Sequence, residues 1–502
     1  MRCVHTVAPL QGSAARRFIA SPRPLAFPRA PHDKERLANP SRPESALTVA
    51  NVFSIPAGAP FLATLARALL GGELVAGFPG DGGPLELAKA TIYLPTQRAA
   101  AAFGQALVEA SGGASLVLPR IAPLGAFEPH DDLGLSQPEE PLGDIAPEAV
   151  GELTRRMTLA RLTRAWGEAL RGAICRVEAD GRMAFDEREP PLVATSPAQA
   201  YALAGDLAAL IDDMIIEGVD PERLGGLVAD AFDPYWRITL DFLKIAFAQW
   251  PAWLAERGRI DRARRGALLI DDEIEALAKG ASRGPTIIAG STGTNRATAR
   301  LIAAIARASQ GAVVLPDLDQ SLDERAWTMI GASDEGAVGV AGHPQAAFHR
   351  LLATIGVARG EVKTLGAPSE ALRARAHYLS EALRPADATD AWSERRKETS
   401  AGALSDQAIA EGLADVAIVV ADDENEEALA LAVAMREALE TPGRTAALIT
   451  PNVTIARRVS AELLRWGVEV EDSAGRTLGQ TEAGAFARLA LAAAADFAPA
   501  PL

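Results

Sequence analysis

Three places in the 502-residue sequence carry residue types whose order could do chemistry. Pro316-Asp317, followed much later by Glu361-Val362-Lys363, fits the pattern of a metal-dependent nuclease. There the carboxylates hold Mg²⁺ and the lysine orients the attacking water. The match is two short fragments far apart, and Glu361–Lys363 is not on a convincing apolar strand. Ala57, Gly58, Ala59 and Pro60 form a turn between an apolar run and a helical pattern, where a phosphate-binding P-loop would sit. The lysines are Lys34, Lys89, Lys244, Lys279, Lys363 and Lys397, and none follows a glycine. A P-loop needs its Gly-Lys-Ser/Thr lysine to reach the β- and γ-phosphates, so an intact one is excluded. Gly290-Ser291-Thr292-Gly293 precedes another helical pattern and could cradle an anion on its backbone N–H groups, or simply make a tight turn.

Other features read as structure. His343 and His349 lack metal-ligand spacing with a carboxylate. Ser291 is not in a Gly-x-Ser-x-Gly elbow. Asp422, Asp423, Glu424, Glu426 and Glu427 open a helix, where anions suit the dipole. Cys3 and Cys175 are too few for a disulfide scaffold, a four-cysteine zinc site or an iron–sulfur cluster. The net charge of −15 excludes a generally basic nucleic-acid binder and confines any such binding to a local arginine-lined groove. A hydrophobic content of 48% supports substantial cores and excludes a disordered chain. The apolar runs are broken within about 12 residues, where a membrane span needs about 20. The expectation is a cytoplasmic protein.

The elements that must position these residues alternate. Residues 48–55, 90–94 and 115–118 read as strands, the last ended by Pro119, with helices over Phe61–Leu70 and Gln97–Glu109 between them. Glu148 to about Gly280 is mostly helical, with Trp236, Phe242, Phe247, Trp250 and Trp253 as a core stripe. Strands return at Thr286–Ala289 and Ala312–Leu315 around a helix at Arg296–Ala308. A second series is expected at 416–420, 445–449 and 468–470, around helices at Glu424–Glu440 and Asn452–Trp466. The expected class is therefore α/β, with a parallel sheet interrupted by a helical block and the start of a second α/β domain.

Several stretches, in order, resemble the AddB family, the second subunit of bacterial AddAB helicase–nucleases that process double-strand DNA breaks. They are Val52–Leu65, Ala90–Ala102, Ser115–Gly125, Ile288–Ile305, Ala312–Leu318, Gly342–Val357 and Ala447–Phe486. The likeness is to the branch whose P-loop has decayed. It implies a UvrD-like helicase fold with RecA-like domains, divided as follows: a disordered or mis-called tail (1–46), the first RecA-like domain in two parts (47–126 and 283–385), a helical insertion (127–282), a linker (386–410) and an incomplete second RecA-like domain (411–502). It implies single-stranded DNA contacts at Thr96 and Arg98, which follow the matching strand-end motif, and at Thr292 in the Gly-x-Thr-Gly loop. Arg457 and Arg458, on the helix of the second domain, would face DNA or solvent. The implied partners are an AddA-like motor subunit and DNA. The family's iron–sulfur cluster and Mg²⁺ sites belong to a C-terminal nuclease domain beyond Leu502. The expectation is thus a truncated or partial chain that carries no cofactor of its own. Readings outside this family remain the Asp317/Glu361/Lys363 nuclease and a non-enzymatic interaction protein.

Overall fold

The computed structural model describes residues 50–80, 85–124, 147–173, 176–177, 183–184, 196–220, 242–280, 284–331, 342–397, 405–473, 475 and 477–495. The expected tail (1–46), Cys3, Cys175, Trp236 and most of the 125–147 segment lie outside these residues. The described residues divide into two units, 50–414 and 415–495.

The first unit is built on a six-stranded, all-parallel sheet. Its strands are β1 (Val52–Ile55), β2 (Thr91–Leu94), β3 (Arg120–Pro123), β6 (Thr286–Ala289), β7 (Gly311–Pro316) and β8 (Lys363–Thr364). The remaining pair, β4 (Arg176–Val177) and β5 (Met183–Ala184), forms a separate antiparallel hairpin. The sheet order is β3-β2-β6-β7-β1-β8. Side chains alternate across the strands, so the interior strands feed two cores. Val52, Tyr93, Ile288, Val313 and Leu315 enter one. Phe53, Ile55, Ile92, Leu94, Ile287 and Val314 enter the other.

Helices cover both faces. α1 (Phe61–Leu70) and α2 (Gln97–Ala110) bury Leu65, Leu69, Phe103 and Leu107 on the second core. The helical block supplies α3 (Glu152–Ala173), α4 (Pro197–Glu217), a π-helical turn at Ile245–Gln249, α5 (Trp250–Glu256) and α6 (Arg262–Ala278). Beyond it come α7 (Arg296–Arg307), α8 (Glu324–Gly331), α9 (Ala346–Ile355), α10 (Glu370–Ala382), α11 (Trp392–Arg395) and α12 (Asp406–Gly412). α7, α8 and α9 pack Ile302, Ile305, Trp327 and Leu351 against the first core. The aromatic stripe is core, as its spacing indicates: Trp250 is fully buried, and Phe242, Phe247 and Trp253 pack around it.

Two strand expectations are corrected. The third strand is Arg120–Pro123, not 115–118. Val117 and Leu118 are exposed, and pairing begins where the Arg120 N–H donates to the Ala90 carbonyl. Pro119 therefore precedes the strand rather than ending it. In the second unit, 416–420, 445–449 and 468–470 form no ladder. Ile418, Val420 and Ile449 are exposed, because an apolar run becomes a strand only when a neighbour takes its hydrogen bonds. The unit's core is instead α13 (Glu424–Leu439) against α14 (Val453–Arg465), with Ala428, Ala432, Ile455, Val459 and Leu463 buried between them. α15 (Glu482–Ala495) follows. Asp423 caps α13 by accepting from the Asn425 and Glu426 N–H groups, so the acidic cluster is a helix start, as expected.

Two buried ionic clusters hold the first unit. Arg155 is 1% exposed and forks onto Asp212 at 2.8 and 2.9 Å, with its Nε 3.1 Å from Asp261. The Trp250 indole N–H donates to both Asp261 oxygens at 3.0 and 3.1 Å. Burial pushes the Asp261 carboxyl above its ordinary range despite the pull of Arg155 and Trp250. In the second cluster the buried Arg384 pairs with the buried Glu381 at 2.8 Å, and Asp323 binds Arg384 and Arg395.

Arg155→Ala leaves Asp261 buried without its cation. It is expected to cost about 3–5 kcal/mol, read as a lower urea midpoint by tryptophan fluorescence. An unchanged midpoint contradicts the assignment. At Asp323, burial raises the pKa, but the Ala326 N–H and the two guanidinium groups outweigh it and hold the group at about 2. The folded value is below the ordinary carboxylate value of 3.8, so this carboxylate stabilises the fold above that value and the contribution fades as pH falls towards 2. The stability difference between wild type and Asp323→Asn should therefore shrink between pH 5 and pH 2; a constant difference contradicts this.

Candidate functional site

All six strands run in parallel, so the loops that follow them lie along one edge of the sheet, where α/β proteins place their ligands. The turn at Pro56–Pro60 follows β1, Pro95-Thr96 follows β2, Gly290–Asn295 follows β6 and Asp317 follows β7. The Gly290 turn adopts φ of +78°, and a Cβ there would lie 3.4 Å from both Phe61 and Pro95. Three of these loops thus meet side by side.

The β1 turn has the position of a phosphate cradle, but two of its N–H donors, Ala57 and Ala59, are engaged by the chain itself. Pro56 and Pro60 bring no N–H. The Ala59 N–H donates to the Pro56 carbonyl at 3.2 Å. The Ala57 N–H donates to the Asp317 carboxylate at 2.9 Å. Asp317 reaches it from a left-handed backbone conformation, φ 55°, fixed by its own N–H on the Ile55 carbonyl. Non-glycine residues adopt that region at a cost, with aspartate among the more tolerant. Gly58 is also left-handed, and a Cβ on it would stand 2.8 Å from the Leu372 Cβ, so α10 lies against the turn. A carboxylate thus holds a backbone donor that a bound phosphate would use.

The other candidates have local partners. Thr96 is the N-cap of α2, and its hydroxyl accepts from the Ala99 N–H at 3.1 Å. Arg98 is exposed in the first turn of the same helix. Thr292 is half-buried in the β6 turn, where the Gly293 N–H donates to the Ser291 hydroxyl at 3.3 Å. Thr96, Arg98 and Thr292 therefore share the carboxyl edge with the β1 turn. Arg457 and Arg458 belong to the second unit. Arg457 donates to Gln480 at 3.1 Å, and Arg458 binds Asn425 and lies 3.4 Å from Glu424.

The nuclease candidates are not brought together. Glu361 accepts from the Ala358 N–H at 2.7 Å and closes a short 3-10 turn. The Lys363 ammonium sits over the Phe53 ring, 5.3 Å from its centre. Phe53 pairs with Lys363 on one side and Val314 on the other, so β1 separates Lys363 from the strand that leads to Asp317. Two strand spacings across and three residues along put these Cα positions about 14 Å apart. No group of three His, Cys, Asp or Glu side chains suited to a metal occurs among the described residues. His343 bonds the Leu383 carbonyl and His349 packs on Trp327, which are structural roles. A four-thiolate cluster does not fit a chain with two cysteines. No described helix is long and apolar enough to cross a membrane. No family model and no curated protein matches the sequence.

The role of Asp317 gives a prediction. Asp317→Ala removes the bond to Ala57 and leaves a Cβ in a left-handed position, at an expected cost of about 1–3 kcal/mol. Asp317→Gly loses the same bond without the strain and should cost less. Equal thermal midpoints for wild type and Asp317→Ala would contradict the role.

Proposed function

We propose that this chain is an inactivated helicase-like scaffold of a DNA double-strand break repair helicase–nuclease. In this reading it has a UvrD-like fold, binds single-stranded DNA and pairs with an active, AddA-like motor subunit. One observation carries the reading: the turn after β1 keeps the place of a P-loop, yet its Ala57 N–H is bonded to the chain's own Asp317. The parallel sheet supports it, with β1 paired between β7 and β8 and a helical block inserted between β3 and β6. So do the AddB-like stretches that run through both units. Thr96, Arg98 and Thr292, on one edge, are the DNA contacts this reading names, and their work is to hold a phosphate backbone rather than to turn over nucleotide.

Fluorescence anisotropy with a labelled single-stranded oligonucleotide tests the reading. Binding should weaken as salt rises, because phosphate contacts release counterions. Arg98→Ala should weaken it further and reduce the salt slope by about 0.7, the value for one phosphate on a single strand. Salt-independent binding, or none, contradicts the reading.

A further inference from the structure

The net charge of −15 makes any local excess of cations informative. One lies along α7. A cavity of about 630 Å³ opens between the C-terminal end of α4, the N-terminal half of α7 and one side of α9. Arg296, Arg300 and Arg350 line it, and Glu217 is the acid at its margin. A second hollow of about 210 Å³, lined by Arg300 and Arg307, continues it, since Arg300 and Thr354 line both. Arg296, Arg300 and Arg307 are four and seven residues apart and so share one face of the helix. The helical rise puts Arg296 and Arg300 about 6 Å apart and extends the stripe to about 16 Å at Arg307.

The four arginines are not equivalent. Arg307 donates to the Thr354 and Ile355 carbonyls at 2.7 and 2.9 Å and so caps the end of α9. Arg300 pairs with Asp271 at 2.8 Å and is half exposed. Arg296 and Arg350 are exposed at the mouth of the larger cavity. Between them lie apolar Ala299 and Leu351. Cations along the walls and an apolar floor suit a sugar–phosphate backbone, whose charges recur at short steps along a less polar chain. Guanidinium forks match phosphate oxygens. One end of the cavity reaches Gly293, the residue after Thr292, so the groove continues from the carboxyl edge of the sheet.

We propose that this groove is a phosphate-binding track for single-stranded nucleic acid, with Arg296 and Arg350 as its free contacts and Arg300 supporting them. The proposal rests on the DNA-binding reading above and adds a path that Thr96, Arg98 and Thr292 do not describe.

The test compares the full-length chain with its Arg296→Gln/Arg350→Gln double variant, using labelled oligo(dT) over a range of salt. Loss of two phosphate contacts should weaken binding on the order of tenfold at 0.1 M salt and lower the slope of log K against log salt by about 1.4. Thermal midpoints should agree, because both side chains are exposed, and Arg296→Lys/Arg350→Lys should keep most of the slope. If wild type binds and the glutamine variant has the same slope, the groove is overturned and the DNA-binding reading stands. If wild type does not bind, both fall. If inorganic phosphate at constant ionic strength displaces the oligonucleotide from wild type but not from the glutamine variant, the groove is a site for single anions and the track is overturned.

Discussion

The pairing of β1 with β7 is the constraint on which the first unit depends. Val52–Ile55 lies in register with Val313–Pro316, so segments far apart in sequence share one ladder. β1 is buried along its whole length and feeds both cores. Everything between these strands must leave the sheet and return to it. β2, β3 and β6 complete the other side, while the helical block leaves after β3 and comes back at β6. The same pairing places the end of β7 beside the end of β1, which is how Asp317 meets Ala57.

That meeting decides what the carboxyl edge can do. A parallel sheet with a βα turn at its carboxyl edge is an arrangement that favours anions, because backbone N–H groups and a helix start face outward together. Here two prolines bring no donor, the Ala59 N–H bonds within the turn, the Ala57 N–H bonds to Asp317, and Leu372 stands against Gly58. The exposed Arg296 and Arg350 line the cavity beside the β6 turn instead, within a chain that is acidic overall.

Local elements were legible because their signals are local. Phe61–Leu70 falls between Pro60 and Gly71, and Thr286–Ala289 is an apolar run ended by a glycine turn; both are where the pattern puts them. The third strand was misplaced because 115–118 is the more apolar run, whereas pairing to β2 selects Arg120–Pro123. In the second unit the helices were readable, but strand status depends on neighbours that no run of five residues specifies. The edge loops were found as turns. Their chemistry was not: the Asp317 bond to Ala57 spans 260 residues, and Leu372 reaches Gly58 from a distant helix. The ion pair of Arg155 with Asp261, and the shared cavity of Arg296 and Arg350, likewise join segments distant in sequence. Nothing in the local sequence sets these arginines apart from the others in a chain rich in them.

The central claim is that the β1 turn is occupied by the protein's own groups and does not take a nucleotide. Thermal unfolding of the full-length chain with and without millimolar Mg·ATP tests it most directly, since a ligand that binds only the folded state raises the midpoint. The account predicts coincident unfolding curves for wild type. A rise of several degrees that Asp317 or Gly58 substitutions abolish would contradict it.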